Sequence, residues 1–518
     1  MINIHKVFLP IGIFCIILSA FILSVAIRVP FLNKPLNDDM EWVTAHTLIT
    51  QQIWYDNGAW AHQFLPLVTF QHNADRNISN QGHQIDKNGN YYYTSYSPFC
   101  FILPYCIFRA FNIYPDVLPL EIFNIAVGLI CCLFIFWIVS LITRKEYLGR
   151  LNISALVGMG MYLFAPEALI YHANVYFADI LVQLFFLMGI YFLLRIVIDG
   201  TKKSDYVFFG ISNFLMVYTE WLGVFFSFAV VLYAFLCIKE KGMKTVLVTA
   251  VFSLLTALAL IVWQYSLING FNNLLHALFT AYQMRSGIFT SADRNFTYWN
   301  IESWKRLFSL YVGGYWPFLF LLFSLGLIYF VLRKYKFLVR SGLDKTYLVA
   351  LYLCLTPVIL HHLAFFNHYV IHNFSILKDG VFISILMAFF YHKISLYEGG
   401  AWKLVIAAGF ILAIIFSINA YFRISYCFSS HSMDIGKEIS MMANKNDVVF
   451  LNTDKPTLRP QVVFYAHRNI ALWKDVSSAK QLLRMNKSDR AIVFILDKSK
   501  EYIVGAVYVD QHSQKLNI

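Results

Sequence analysis

The sequence predicts a polytopic α-helical membrane protein with a small α/β domain at its C-terminal end, on three observations. Of its 518 residues, 59% are hydrophobic, 18% aromatic and only 14% charged, against about 25% charged in soluble proteins. Long apolar runs recur and are separated by short loops that are alternately rich in and free of Lys and Arg. From about Ser430 the membrane pattern stops, and helix-period and strand-period segments take its place.

The first run, Val7 to Ile27, is about the length that spans a bilayer core. No small-residue cleavage site follows it, so it is expected to stay as a transmembrane helix rather than leave as a signal peptide. Pro30, Asn33, Lys34 and Pro35 then break the helix, and Asn37-Asp38-Asp39-Met40-Glu41-Trp42 brings three carboxylates and an indole to the membrane surface. From Glu41 onward, Trp42, Ala45, Leu48, Ile49 and Ile53 recur at helical spacing. This predicts a short amphipathic helix lying on the membrane with Asp38 and Asp39 at its N-terminal cap. The pair has two readings at this level: caps on a positive helix end, or a base held at the lipid boundary.

Basic clusters at Arg144, Lys145 and Arg150, at Lys202 and Lys203, at Lys239 to Lys244, at Arg333 to Lys345 and more weakly at Lys393 and Lys403 mark cytoplasmic loops. The turns near Glu167 to Tyr176 and Thr219 to Gly223 carry no Lys or Arg, as short outside loops should. Tyr206 to Ile238 would be about 50 Å long as one helix, too long for a core of about 30 Å, so two short helices turning near Glu220 are expected. Counted this way there are about eleven spans, near 7–27, 118–142, 151–167, 177–198, 206–219, 222–238, 245–268, 315–332, 346–364, 376–392 and 403–422. The N-terminus is then cytoplasmic and the C-terminus extracytoplasmic, with the chain in a bacterial inner membrane.

The expected division is a membrane domain over 1–428, with long outer loops at 28–115 and 269–315, and an extracytoplasmic α/β domain over 429–518. In the latter, Asp434 to Asn444 reads as helix and 447–451, Gln461 to Tyr465, Ala491 to Leu496 and Tyr502 to Val509 as strands. No internal repeat is evident. Most of the eight cysteines lie within apolar runs, without metal-like spacing, and read as packing residues. The net charge of +12 falls in short loops between spans, which excludes a nucleic-acid surface and leaves membrane lipids as the partner of that charge.

Several residues stand out chemically. Asp179 opens the fourth span, where a charge is costly unless it is paired or functional; a helix cap is the plainer reading. His368 and His372 share one helix face at an outer membrane edge. They suit hydrogen bonding to a phosphate or sugar, metal binding, or interfacial packing; no HExxH glutamate lies between them. His361 and His362 read as structural. Trp299, Trp316 and Tyr298 are either sugar platforms or part of the interfacial aromatic belt. Arg285, Arg294, Lys305 and Arg306 oppose the usual charge bias of outer loops, which anion binding would explain.

A first helix, an outer Asp-Asp pair opening a helix, the Tyr-rich segment Tyr91-Tyr92-Tyr93-Thr94-Ser95-Tyr96-Ser97-Pro98-Phe99, and an Asp at the start of the fourth span together resemble the GT-C membrane glycosyltransferases. The chain is most similar to the branch that holds protein O-mannosyltransferases and lipid A aminoarabinose transferases, the bacterial glycosyltransferase family 39-like proteins. The resemblance covers most of the chain as topology, including the tail with its Pro-Gln-Val-Val-Phe-Tyr-Ala-His-Arg run, but only short motifs as sequence.

It implies transfer of a sugar from a polyprenyl-phosphate-linked donor to an envelope glycan, lipid or protein acceptor on the outer face, with inversion at the anomeric carbon. Asp38 then matches the catalytic aspartate, Asp39 the adjoining acid and Asp179 the acid of the fourth helix. Independently, inverting transfer needs one carboxylate to deprotonate the attacking group, and cations or hydrogen-bond donors for the leaving phosphate. Glu41, Tyr93, Tyr96, Arg285, Arg294, Lys305, Arg306, His368 and His372 are the expected substrate-binding residues. The family often places Lys or Arg in its Pro-containing segment, where Tyr93, Ser95 and Tyr96 stand here. No cofactor is expected; a divalent metal lacks a clear ligand set. The competing classes are a transporter or flippase of a lipid-linked precursor, which should show inverted repeats and charges near the bilayer midplane, and an envelope assembly protein.

Overall fold

Apolar runs fold as helices in a membrane because a helix satisfies every backbone hydrogen bond within its own segment. The computed structural model describes residues 4–37, 40–143, 151–200, 202–288, 296–334, 345–396, 400–425, 429–453, 458–497 and 502–510. In chain order the first helices are α1 (Ile4–Arg28), α2 (Trp42–Asn57), α3 (Phe99–Ala110), α4 (Val117–Thr143), α5 (Ile153–Phe164), α6 (Pro166–Tyr171) and α7 (Ala178–Asp199). Next come α8 (Lys203–Val217), α9 (Leu222–Leu236), α10 (Met243–Asn269), α11 (Phe271–Ser286), α12 (Ile301–Lys334), α13 (Lys345–Ala364), α14 (Phe366–Ile371), α15 (Leu377–Ser395) and α16 (Gly400–Ser425). The tail holds α17 (His431–Met442), α18 (Pro460–Ala466) and α19 (Val476–Asn486).

Among the described residues eight helices are long and apolar enough to cross a membrane: α1, α4, α7, α10, α12, α13, α15 and α16. Each of the spans expected from hydropathy coincides with a helix. Their burial separates centre from rim. In the most apolar windows of α7 and α15, 67% and 78% of residues are buried, whereas α1 and α16 bury only 17% and 22% and present their sides outward.

The helix after Asp38–Asp39 is present but is not a surface helix with one wet face. α2 is buried continuously from Val43 to Trp54, polar residues included, with α3 on one side and α18 on another. Thr44, Thr47, Gln51 and Gln52 make the pattern look amphipathic, yet Gln51 and Gln52 donate to the carbonyls of Phe101 and Pro115 and Thr47 to that of Val43. Its N-cap residue is Glu41, so the helix begins beyond the predicted aspartate caps. The second long loop also proves helical, since α11 and the first turns of α12 fill 271–286 and 301–315.

In the tail, β3 (Val448–Asn452) pairs in parallel with β4 (Ile470–Leu472) and β5 (Arg490–Leu496), and β6 (Ile503–Asp510) closes the sheet antiparallel to β5. (β1, Gln84–Ile85, and β2, Tyr91–Tyr92, form a separate small ribbon in the first loop.) Gln461 to Tyr465 is helix α18 rather than a strand. Pro460 at its first position presets the helical backbone, and the apolar run packs so closely on α17 that a Cβ at Gly436 would sit 2.6 Å from that of Tyr465. The first loop shares the core of this sheet: Ala74 and Ile78 cluster with Val448, Phe450, Leu483 and Val493. Asn469 and Asn486 fasten the two together. Asn469 donates to Ile78 O and accepts from the Phe70 amide, while Asn486 donates to Ala74 O and Arg76 O.

Candidate functional site

Asp179 is held in place by the irregular stretch that leads into α7. Asn124 on α4 donates to the carbonyls of Tyr171, Ala173 and Val175 at 2.8, 3.1 and 2.8 Å, which satisfies a buried chain that has no helix ladder of its own. Thr44 on α2 accepts from the Tyr176 amide at 3.0 Å, and the Tyr176 hydroxyl donates to Cys100 O. With backbone and side chain fixed by three elements, the carboxylate of Asp179 is fully buried at the start of α7.

It meets Lys378, from the start of α15, at 2.6 Å. Lys378 is fully buried and also lies 3.4 Å from Glu220, in the turn between α8 and α9. Glu220 accepts from the Leu222 amide and from His361 Nε2 at 2.9 Å. Because that nitrogen carries the proton in a neutral ring donating to a carboxylate, His361 Nδ1 is the acceptor for the Tyr369 hydroxyl at 2.7 Å. A hydrogen-bonded line therefore runs Tyr369, His361, Glu220, Lys378, Asp179, with two carboxylates around one ammonium. Asp179 Oδ2 has no hydrogen-bond partner among the described residues. Charges this deep are expensive and are kept where they are paired or functional.

Above the line, His368 Nε2 lies 3.7 Å from Asp179 and 3.0 Å from the Tyr96 hydroxyl. Burial holds the His368 imidazole below its ordinary value, against the upward pull of Asp179. The Arg285 guanidinium stacks 4.5 Å over the Tyr96 ring and donates to Ser95 O at 3.1 Å, where the Trp221 indole also donates. Arg285 has no carboxylate partner within salt-bridge distance among the described residues, so its remaining N–H groups can serve an anion. Tyr93 is buried between His46 and His83, whose rings burial keeps neutral down to about 4 and about 3; Arg285 adds to the lowering of His83.

The structure thus brings together Asp179, Tyr96, His368 and Arg285 from four separated parts of the sequence. His372 stacks on Phe374 and faces Trp42, with ring centroids 5.6 Å apart. Glu41 lines a neighbouring cavity with Glu167 and Asn174. Arg306 donates to Val370 O, and Lys305 is exposed and paired with Glu302 at 2.7 Å, which removes it from the cluster. Asp38, Asp39 and Arg294 lie outside the described residues. The residues beside the aspartate pair are anchored: Asn37 O accepts from Gln461 Nε2 at 2.8 Å, and Asn37 N donates to the Glu41 carboxylate.

Sequence reasoning missed Lys378 and Glu220 and took His361 as structural. Lys378 stands in Leu377-Lys378-Asp379-Gly380, at the edge of an apolar span, so the reasoning that singles out Asp179 applies to it equally.

No family model matches this sequence, and no curated protein matches it. Solved structures of membrane glycosyltransferases of the GT-C class do share its fold over nearly the whole chain. One is ArnT from Cupriavidus metallidurans bound to undecaprenyl phosphate, with a TM-score of 0.60 over 94% of this chain and 93% of that one, at 12% identity. Another is the archaeal oligosaccharyltransferase AglB from Archaeoglobus fulgidus in complex with an inhibitory peptide and a dolichol-phosphate. Its TM-score is 0.55 over 93% of this chain and 69% of that one, at 13% identity.

Proposed function

We propose that the protein is a glycosyltransferase that moves a sugar from a polyprenyl-phosphate-linked donor to an acceptor hydroxyl at the outer face of the membrane, with inversion and with Asp38 as base. The observation that carries the reading is the buried line of Asp179, Lys378, Glu220 and His361, roofed by Tyr96, His368 and Arg285 where several helix ends meet. Titratable groups clustered in a buried site, held by specific charge partners, are the arrangement that a reaction centre requires. The shared fold with ArnT and AglB supports the same class.

In this mechanism the acceptor oxygen attacks the anomeric carbon as its proton passes to Asp38. The bond from that carbon to the phosphate oxygen breaks, and the phosphate leaves with the electron pair. Arg285 is the cation best able to receive it, since Lys378 is already shared by two carboxylates. Asp179 and Lys378 hold His368 and Tyr96 in register beneath the phosphate.

The test is sugar transfer from purified polyprenyl-phosphate donor in liposomes. Asp38→Asn keeps size and polarity but is no comparable base, and turnover should fall about 100-fold to 10,000-fold with donor binding kept. Asp39→Asn should lose less. Near-normal turnover by Asp38→Asn removes it as the base.

A further inference from the structure

α12 and α15 pack side by side, and between them runs an apolar groove of about 500 Å³, lined by Leu319, Phe323, Gly326, Leu327 and Phe330 of α12 and by Phe390 of α15. Gly326 opens it, because a Cβ there would meet only the Phe390 ring, at an ordinary contact distance of 3.6 Å. Phe323, Leu327 and Phe330 are 73%, 57% and 59% exposed, so the groove faces sideways, toward lipid in a membrane. From Leu319 to Phe330 the helix rises about 16 Å. That is the depth of one leaflet in a hydrocarbon core about 30 Å thick.

Both walls turn cationic at the same end. Three and four residues beyond Phe330, on the same face of α12, come Arg333 and Lys334, and three beyond Phe390 on α15 comes Lys393. Arg333 and Lys334 are exposed, whereas Lys393 is only 9% exposed. Among the described residues none of the three makes an ion pair, and no Asp or Glu lines the groove. Cations in a last turn are ordinary complements of a helix end. That accounts for the two exposed side chains but not for the third, since a lysine this buried is costly to leave without an anion.

We propose that the groove binds an anionic phospholipid of the inner leaflet, with one acyl chain between α12 and α15 and the phosphate among Arg333, Lys334 and Lys393. The charge of the lining selects this occupant. A zwitterionic lipid would set its own cationic group beside three others, and a second copy of the chain docked about a two-fold axis would bring its three cations against these. An anionic headgroup supplies the missing counter-ion, and basic residues between transmembrane helices on the cytoplasmic side are where such headgroups bind. The site is separate from the proposed reaction. The rise along α15 from Lys378 to Lys393 is about 22 Å, which sets it at the opposite membrane face, the one that the basic loops mark as cytoplasmic. A lipid held there ties α12 to the helix that carries Lys378 into the candidate site.

The experiment uses the full chain in phosphatidylcholine nanodiscs, with phosphatidylglycerol carrying a diazirine on one chain as probe and chain-matched tagged phosphatidylcholine for comparison. The phosphatidylglycerol should label 319–330 and Phe390 saturably, about tenfold or more above the phosphatidylcholine. At about fivefold per cation, Arg333→Gln combined with Lys334→Gln and Lys393→Gln should lower its affinity about 100-fold and leave the weak phosphatidylcholine labelling as it was. Arg333→Gln alone, an exposed change that spares the fold, should lower it about fivefold. Gly326→Leu fills the groove while favouring the helix, and should abolish the labelling. Lys244→Gln, at an exposed cation near the start of α10, should change nothing. Equal labelling by the two lipids means annular contact only and overturns the site, as does phosphatidylglycerol labelling that survives the charge variants or Gly326→Leu. Cross-links between two chains through 319–330 in place of lipid give the groove to a second copy and overturn it too. None of these readouts depends on sugar transfer.

Discussion

Replacing Lys378 by Met removes the one ammonium that Asp179 and Glu220 share. The two carboxylate oxygens lie 2.6 and 3.4 Å from its Nζ and hence no more than about 6 Å from one another. At an effective dielectric constant near 20 their repulsion is about 3 kcal/mol. Breaking a buried pair on one side costs about 3–5 kcal/mol in all, and Lys378→Met should lose that much stability. Removing one of the two acids relieves the clash, so Lys378→Met with Asp179→Asn should fall short of the sum of the single losses by about 2 kcal/mol or more. Unfolding in graded SDS mixed micelles, followed by tryptophan fluorescence, measures each corner of the cycle. Additivity within about 0.5 kcal/mol would refute the shared-cation reasoning, and with it the view that Lys378 organises this centre.

Arg285→Gln should weaken donor binding by about 2–5 kcal/mol, whereas Lys305→Gln, at an exposed pair with Glu302, should leave donor affinity unchanged; titration with a fluorescent polyprenyl phosphate separates the two. Burial raises Asp75 to about 7 despite Arg468. The folded state therefore holds that proton more tightly than the unfolded chain does, and the junction of first loop and tail is most stable below about pH 4. It should lose up to about 4 kcal/mol as pH rises to about 7; Trp473 fluorescence during denaturation should show this, and Asp75→Asn should flatten it. A reporter active only in the cytoplasm and fused after Ile518 should be silent, and activity there would reverse the predicted orientation.

The helices were legible because hydropathy and loop charge are one-dimensional signals: Val7 to Ile27, 118–142 and 177–198 fall on α1, α4 and α7 nearly residue for residue. α2 was legible as a helix but not in its surroundings, since a run containing Thr44, Thr47, Gln51 and Gln52 reads as half wet until their buried partners are known. α18 looked like a strand because Val462 and Val463 favour one and only packing on α17 and α2 overrides that preference. In the candidate site, Asp179, Tyr96, Arg285 and His368 each carried a local anomaly. Glu220 sat in a turn expected outside the membrane, where an acid needs no explanation, and His361 lay within an apolar span. Their meaning depends on Lys378, which lies more than a hundred residues from Glu220, and no period or motif reports such a pairing.

The arrangement of charge also bears on why one short segment could serve both partners of a transfer reaction. A leaving phosphate is stabilised by cations, but a cation close to the base would stabilise its carboxylate and weaken its pull on the incoming proton. The two needs conflict if they share one chamber. Here Arg285, Lys378 and His368 gather on the side of Tyr96, and Glu41 and Glu167 on the side of α6 and α12. Trp42, which follows Glu41 in the chain, lies 5.6 Å from His372, and His372 lies 4.5 Å from His368, so ring contacts join the two sides. On the proposed reading, a base in that segment has the Glu41 carboxylate close along the chain to keep it proton-hungry, while the bond it helps to break ends among the cations. The Asn37 and Glu41 anchors then serve chemistry as much as folding, because a shift of this segment toward Arg285 would lower the basicity on which the attack depends.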